Sequence, residues 1–165
     1  MLMNVSFHYL DNMKKLYRYY KLLAEKAMQQ LEPQQLLHSH NVDSNSIATI
    51  VKHMHGNMLS RWTDFLTIDG EKPNRNRDGE FENDLSAEKV FELWEEGWAC
   101  VFSALDNIEE DQLLFTVYIR KEAHTVMEAI NRQLAHYSYH AGQIVYAAKM
   151  LKQGEWQSLS IPRKK

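Results

Sequence analysis

Two histidines, His136 and His140, lie four positions apart in the stretch LAHYSYHAGQIVY, which otherwise has the apolar pattern of a buried helix. Residues four apart share one face of an α-helix, so both imidazoles can reach the same point. A neutral imidazole is a common metal ligand, and it is costly to bury without hydrogen-bonding partners. The pair therefore predicts either part of a divalent-metal site or two core histidines that other groups satisfy.

A divalent ion needs a third ligand from another element, and His53 is the best candidate among the eight histidines of the chain. It lies in IVKHMHGNM, at the edge of an apolar stripe that spans residues 50–58 at helical spacing. Three neutral histidines with an open fourth position are typical of a catalytic rather than a closed structural site. Position 137 is tyrosine, so the helical glutamate of the zinc-protease motif H-E-x-x-H is absent.

Four long segments with helical periodicity must position these histidines. Their limits follow from capping residues, glycines and prolines. The predicted segments run from about Asn4 to Leu31 before Pro33, from Ser46 through Phe65 to a stop at Gly70, from Ser86 to about Asn107, and from a Thr125–Glu128 capping box to a stop at Gly154.

The connections between these segments are predicted to be loops. The stretch QQLLHSHNVDSN is polar, and residues 69–84 are dense in Gly, Asn, Asp and alternating charge. The stretch LLFTVYI is rich in β-forming residues, but no strand partner is evident. We therefore predict an all-α fold, a four-helix bundle in a single domain over residues 1–165. The long connections after helices 2 and 3 would permit a crossover.

Composition narrows the class of protein. A chain of 165 residues can form one domain without disulfides, and the single cysteine, Cys100, excludes an intrachain disulfide and favours a reducing compartment. The net charge of −3 argues against nucleic-acid binding. The N-terminus lacks a signal-peptide pattern, and no apolar run approaches the roughly 20 residues of a membrane span. We expect a cytoplasmic protein that binds neither nucleic acid nor membrane.

Several residues that could suggest a binding role are predicted to be core. Trp62, Trp94 and Trp98 lie on apolar helical stripes, where aromatic residues usually pack. Cys100 lies in mid-helix with no base that can be placed beside it, so we expect an unreactive thiol.

Metal-bound imidazoles are normally oriented by hydrogen bonds to their second nitrogen. Asn57, one turn after His53, is the first candidate for this role, and Gln143, which follows His136 by seven residues, is the second. The alternatives are a surface amide for Asn57 and a helix-packing contact for Gln143.

Arg75 and Arg77, in the long loop, could hold a substrate carboxylate through forked hydrogen bonds. The alternative is that they pair with neighbouring acidic residues on the surface, for which the candidates are Asp69, Asp78, Glu80 and Glu82. The catalytic residues stay unknown at this stage.

The stretch HYSYHAGQIVYAAKML resembles the last core helix of the DinB/YfiT-like superfamily, in which a His, three residues and a second His are followed closely by Gly-Gln-Ile. The stretch SIATIVKHMHGNMLSRWTDFLTIDGEKPNRNRDGEFE is similar to an uncharacterised branch of that superfamily, found mainly in bacilli. The resemblance covers residues 40–163. It implies a four-helix bundle that holds a divalent metal through His53, His136 and His140.

The resemblance also implies a function, since characterised relatives are thiol-dependent S-transferases or isomerases that use bacillithiol or mycothiol. We expect one zinc or nickel ion per chain, a bacillithiol-type thiol, a small electrophile as substrate, and a homodimer. The first hypothesis is thus a metal-dependent thiol S-transferase. The second is a non-enzymatic, stress-associated metal-binding bundle, and the third is a helical interaction module without metal.

Overall fold

Five α-helices and one β-hairpin make up most of the regular structure of residues 5–82 and 84–161, which a computed structural model describes. Asn4, the predicted start of the first helix, lies outside the described residues. The elements are α1 (Val5–Met28), α2 (Pro33–Leu36), α3 (Ile47–Trp62), α4 (Ala87–Asp106), β1 (Thr116–Ile119), β2 (Glu122–Thr125) and α5 (Val126–Lys152), with short 3₁₀ turns at Gly79–Phe81, Glu110–Leu114 and Gln153–Glu155. The described residues are mostly helical, which confirms the predicted helical character of the fold.

Local capping explains where two of the long helices begin. Ser46 precedes α3 and its Oγ accepts a hydrogen bond from the Thr49 N–H at 3.1 Å. The predicted capping box of α5 is confirmed: the Glu128 N–H donates to Thr125 Oγ1 at 3.1 Å, and the Thr125 N–H donates to Glu128 Oε2 at 2.7 Å. The start of α5, which carries two of the histidines, is therefore encoded locally.

Two predicted boundaries were wrong. Pro33 does not simply end the first helix, because α1 ends at Met28 and Pro33 opens the one-turn helix α2 within the predicted loop. Gly70 does not end α3, which stops at Trp62. Gly70 instead lies against the hairpin, where its N–H donates to the Tyr118 carbonyl at 2.8 Å.

The stretch LLFTVYI does have a strand partner, which the sequence analysis missed. Strands β1 and β2 pair antiparallel, with Thr116 opposite Thr125 and Ile119 opposite Glu122. Arg120 and Lys121 form the two-residue turn and have positive φ values of 56° and 65°. Turns of this kind usually contain Asn or Gly, so neither residue gave the expected signal.

The long helices do not simply alternate in direction. Helices α1 and α4 are antiparallel, since Lys14 pairs with Asp106 while Lys21 pairs with Glu95. Helices α3 and α4 run in the same direction, since His55 lies 3.1 Å from Glu96 and the end of α3 lies beside Cys100. The connection 63–86 must therefore return along α3 before α4 begins, which is the crossover that the long connections permit.

The interior is rich in aromatic side chains. Trp62, Trp94 and Trp98 are buried, as predicted, and Tyr17 and Tyr137 are fully buried among them with edge-to-face ring contacts. None of the helices in residues 5–82 and 84–161 combines the length and the apolar character that crossing a membrane requires.

Asp69 ties the crossover connection to the hairpin turn. Its carboxylate accepts hydrogen bonds from the backbone N–H groups of Glu71 (2.7 Å), Arg120 (2.9 Å) and Lys121 (2.7 Å). Burial alone would raise the pKa of Asp69, but these three donors lower it below its ordinary value. The ionised carboxylate therefore stabilises the folded state.

We expect Asp69→Ala to lower the free energy of unfolding by about 1–2 kcal/mol, because three backbone donors lose their acceptor. Since the folded pKa of Asp69 is lowered, its contribution is complete above the unfolded pKa of about 4 and is lost as the pH falls through the folded value. Urea unfolding at pH 7 and at acidic pH measures this. Asp78→Ala is the control, and equal stabilities of the two variants at pH 7 would contradict the role of Asp69.

Candidate metal centre

Three imidazoles from two helices converge on one point. His136 and His140 lie one turn apart on α5, and His53 faces them from α3. The Nε2 atoms of His136 and His140 are 3.0 Å apart, and those of His53 and His136 are 3.4 Å apart. One ligand atom from each ring lies within 4.8 Å of the other two, so the cluster could hold a metal ion.

The second ring nitrogen of two imidazoles is held by an acceptor. His53 Nδ1 lies 2.9 Å from Glu80 Oε2, and His140 Nδ1 lies 2.8 Å from Gln143 Oε1. A carboxylate and an amide oxygen can only accept, so each Nδ1 carries the proton and each Nε2 presents its lone pair to the centre. This is the arrangement by which proteins orient metal-binding histidines.

The cluster fits a tetrahedral ion. With metal–nitrogen distances of roughly 2.0–2.1 Å, tetrahedral geometry places two imidazole nitrogens about 3.3 Å apart, close to the observed separations. The His136 Nδ1 is buried with no hydrogen-bond partner among the described residues. A proton on His136 Nε2 instead could be donated to only one of the Nε2 lone pairs of His53 and His140. A cation at the centre would satisfy all three.

The histidines of α5 are in the protonation state that a metal requires. Burial, followed by the neighbouring His140 and His53 rings, lowers the pKa of His136 to about 3. Burial also lowers the pKa of His140 to about 4. Both imidazoles are therefore neutral near pH 7, which keeps their ring nitrogens available as ligands.

The sequence analysis did not assign Glu80 to the site, although this residue holds His53. Glu80 is buried, and its carboxylate also accepts from Arg75 Nε at 2.6 Å and Arg75 Nη2 at 2.8 Å. Burial alone would raise the pKa of Glu80, but the hydrogen bonds from His53 and Arg75 lower it. The carboxylate is therefore ionised and can stabilise positive charge on the His53 side of the centre.

Gly56 leaves the space that Glu80 occupies. It lies on α3 one residue before Asn57, and a Cβ atom at Gly56 would fall 2.3 Å from Glu80 Oε1 and 2.8 Å from Glu80 Cδ. The Glu80 side chain can therefore lie against α3 in this position only because residue 56 is glycine.

Arg75 is already engaged by an acidic side chain of the same loop. Its side chain is 4% exposed and forms a bidentate pair with Glu80. The sequence analysis gave pairing with an acidic neighbour as the alternative role, and this pairing is observed, although the pair is buried. Arg77 is exposed, and its role in substrate binding stays a prediction.

The two predicted orienting amides lie in different places. Gln143 does hold an imidazole, that of His140, and its Nε2 donates to the Tyr139 hydroxyl at 3.0 Å, which fixes the orientation of the amide. Asn57 does not hold His53, whose Nδ1 is taken by Glu80. The Asn57 Oδ1 instead accepts from the Tyr137 hydroxyl at 3.1 Å in the core.

Two partly exposed aromatic rings flank the cluster. Phe81 stacks on His53 with ring centroids 5.0 Å apart, and the Tyr139 ring lies 4.5 Å from that of His140. Their exposed fractions are 50% and 58%. The histidines are thus half-enclosed by rings that solvent and small molecules can reach.

The fold and the cluster define a helical protein with three histidines that could bind a metal ion. The chain belongs to the family described as "Protein of unknown function (DUF1572)", whose model matches residues 4–165. No curated protein and no solved structure matches the chain.

We expect Gly56→Ala to weaken zinc binding by about 10- to 100-fold, because the new methyl group must displace Glu80 from His53 Nδ1. Competition with a chromophoric zinc chelator measures the affinity. Gly142→Ala is the matched control, since a Cβ atom there meets nothing within 4 Å although Gly142 is two residues from His140. Equal zinc affinities for the two variants would show that the Glu80 contact does not support the site.

Proposed function

We propose that this protein is a divalent-metal-binding four-helix bundle of the DinB/YfiT-like type, and that it acts as a metal-dependent thiol S-transferase on small electrophiles. The observation that carries the proposal is the convergence of the Nε2 atoms of His53, His136 and His140, two of them with the Nδ1 proton fixed by Glu80 and Gln143. The crossover topology and the resemblance of the fourth long helix support the bundle assignment.

The ligand set favours catalysis over a purely structural role. Three protein ligands leave a coordination position for a small molecule, whereas structural zinc sites usually close it with a fourth residue. The cluster found among the described residues contains only the three histidines. The exposed faces of Phe81 and Tyr139 beside it leave room for a substrate.

The chain's own residues would bind and orient the reactants. The three imidazoles would hold the ion through Nε2. Glu80 and Gln143 fix the Nδ1 protons of His53 and His140, so these two rings cannot rotate freely. When bound, a divalent ion of this kind lowers the pKa of a coordinated thiol. In the transfer, the thiol proton passes to solvent, the sulfur forms a bond to the electrophilic carbon, and the leaving group takes the electron pair of the bond that breaks.

We further propose one zinc or nickel ion per chain, a bacillithiol-type thiol as the second substrate, and a cytoplasmic homodimer. The imidazole donors support a transition metal, although this ligand type suits several of them. The single cysteine supports a reducing compartment. The thiol and the dimer rest on the family resemblance.

One observation favours the second candidate, a metal-binding bundle without turnover. A cleft of about 620 Å³ lies on the other side of Glu80, and its walls include Lys52, Lys72 and Arg75 but none of the three histidines. A metal ion could therefore be held without a deep substrate cavity around it.

Elemental analysis of protein purified without a nickel column tests the metal site. We expect close to one transition-metal ion per chain in the wild type and in His8→Ala, which replaces an exposed histidine of α1, and almost none in His136→Ala. Thermal unfolding confirms that both variants are folded. Equal metal contents in the three proteins, or no metal after incubation with zinc and gel filtration, would contradict the site.

A chromogenic electrophile tests the transferase. We expect the zinc-loaded wild type to accelerate its reaction with bacillithiol, and we expect a chelator or the His136→Ala substitution to return the rate to that of the thiol alone. If metal is bound but the wild-type rate equals that of the thiol alone, the second candidate holds.

A further inference from the structure

The cleft of about 620 Å³ beside Glu80 lies between α3 and the crossover connection. Leu59 is the only large apolar side chain among the residues that line it, and the others carry charged or hydrogen-bonding groups or are glycines. The volume lies within the range of small-molecule pockets, roughly 300–1,000 Å³. The cleft therefore suits a small, polar ligand.

The cleft is elongated along α3. At one end the Lys52 ammonium donates to the Glu82 carbonyl at 3.3 Å, and at the other the Lys72 N–H donates to Ser60 Oγ at 3.0 Å. Lys52 and Ser60 are separated by eight positions of α3, which corresponds to about 12 Å at 1.5 Å per residue. The connection thus lines the cleft over roughly two turns of the helix.

One positive charge of the cleft has no carboxylate partner. Of the three basic side chains that line it, Lys52 pairs with Asp84 at 2.5 Å and Arg75 pairs with Glu80. The Lys72 ammonium donates only to a backbone carbonyl, at 2.9 Å, and no carboxylate of the described residues lies within ion-pair distance of it. Burial lowers the pKa of Lys72, so its ammonium is partly removed from water and would be stabilised by a carboxylate.

One negative charge of the cleft is also unpaired. The Glu82 side chain is exposed, and none of the described basic side chains forms an ion pair with its carboxylate. Lys72 and Glu82 are held at the two ends described above, at Ser60 and at Lys52. The charge pattern is therefore complementary to an elongated zwitterion, with a carboxylate at one end and an amine at the other.

Hydrogen-bonding groups without partners lie between the two charges. The Asn76 Oδ1 accepts from the Gly79 N–H at 3.0 Å, which leaves the Asn76 amide hydrogens free to donate. Asn74 is exposed and also lines the cleft. Arg75 Nη1 is buried with no hydrogen-bond partner among the described residues. Side-chain amides can both donate to and accept from peptide groups, so this lining favours a ligand with a peptide backbone.

We propose that this cleft binds a short free peptide, with the C-terminal carboxylate at Lys72 and the N-terminal amine at Glu82. Three residues fit best, because an extended chain covers about 3.3–3.6 Å per residue and the two ends lie about 12 Å apart along α3. The proposal does not depend on the transferase function, since none of the three histidines lines the cleft.

Titration of trialanine into isotope-labelled protein, followed by NMR at pH 7, tests the site. We expect the amide signals of Gly56 and Gly79, which line the cleft, to shift and saturate, while those of Gly142 and Gly154 stay in place. Trialanine amide, which lacks the carboxylate, should bind about tenfold more weakly. N-acetyl-trialanine, which lacks the amine, should bind about threefold more weakly, because Glu82 is exposed.

Two substitutions assign the ends of the peptide. Lys72→Gln should bind trialanine and trialanine amide equally, yet still prefer the free amine. Glu82→Gln should bind trialanine and its N-acetyl derivative equally, yet still prefer the free carboxylate. Lys149→Gln and Glu122→Gln, which remove exposed charges elsewhere, should retain both preferences.

The compound ω-aminooctanoate carries the same two charged ends without peptide groups. We expect it to bind at least about threefold more weakly than trialanine, since it cannot pair with the amides of Asn74 and Asn76. Equal affinities would overturn the assignment of a peptide as the ligand.

The remaining outcomes decide the site itself. The proposal is overturned if the Gly56 and Gly79 signals do not shift and saturate, if Lys72→Gln still prefers the carboxylate, or if Glu82→Gln still prefers the amine. We expect His136→Ala to bind trialanine like wild type, so the peptide site stands or fails separately from the metal centre and the transferase.

Discussion

The hydrogen bond between His53 Nδ1 and the Glu80 carboxylate connects the candidate metal centre with the topology of the whole chain. Helices α3 and α4 run in the same direction, so the connection between them must return along α3, and Glu80 lies on that return. The carboxylate can reach His53 only because residue 56 has no side chain. The direction of two helices, one loop and one glycine thus determine which nitrogen of His53 carries its proton.

Burying the Glu80 carboxylate would be costly if it were unpaired, and Arg75 offsets this cost through a bidentate ion pair. Further ion pairs continue from this one. Glu71 lies 3.7 Å from Arg75 Nη1, and it pairs with Arg61 of α3 and with Arg120 of the hairpin turn. The loop is therefore held by charge pairs at several points, so a long polar connection can have a defined structure. Removal of Arg75 would leave the buried Glu80 carboxylate without its ion-pair partner.

The histidine cluster is organised for a cation before any cation binds. Two imidazoles have their lone pairs directed inward by Glu80 and Gln143, and burial keeps the α5 histidines neutral. A proton on His136 Nε2 can satisfy only one of these two lone pairs, whereas a bound ion would accept all three nitrogens. Metal binding would then stabilise the fold by joining α3 to α5. The partly exposed rings of Phe81 and Tyr139 lie against His53 and His140.

The sequence by itself determined the features that depend on neighbours in the chain. Capping groups and apolar periodicity predicted most ends of the long helices, and the four-residue spacing placed His136 and His140 on one face. Only the tertiary structure decided which groups hold the rings. Glu80 is far from His53 in sequence and was one of several acidic residues in a loop without periodicity, and Asn57 was near His53 on the helix but faces Tyr137. The hairpin was missed because its turn residues, Arg120 and Lys121, are not the Asn or Gly typical of such turns, and the carboxylate that binds their N–H groups, Asp69, is distant in sequence. Local patterns encode which residues share a helix face. The partner of a residue such as His53 depends on the path of the connection between α3 and α4, which no short stretch of residues specifies.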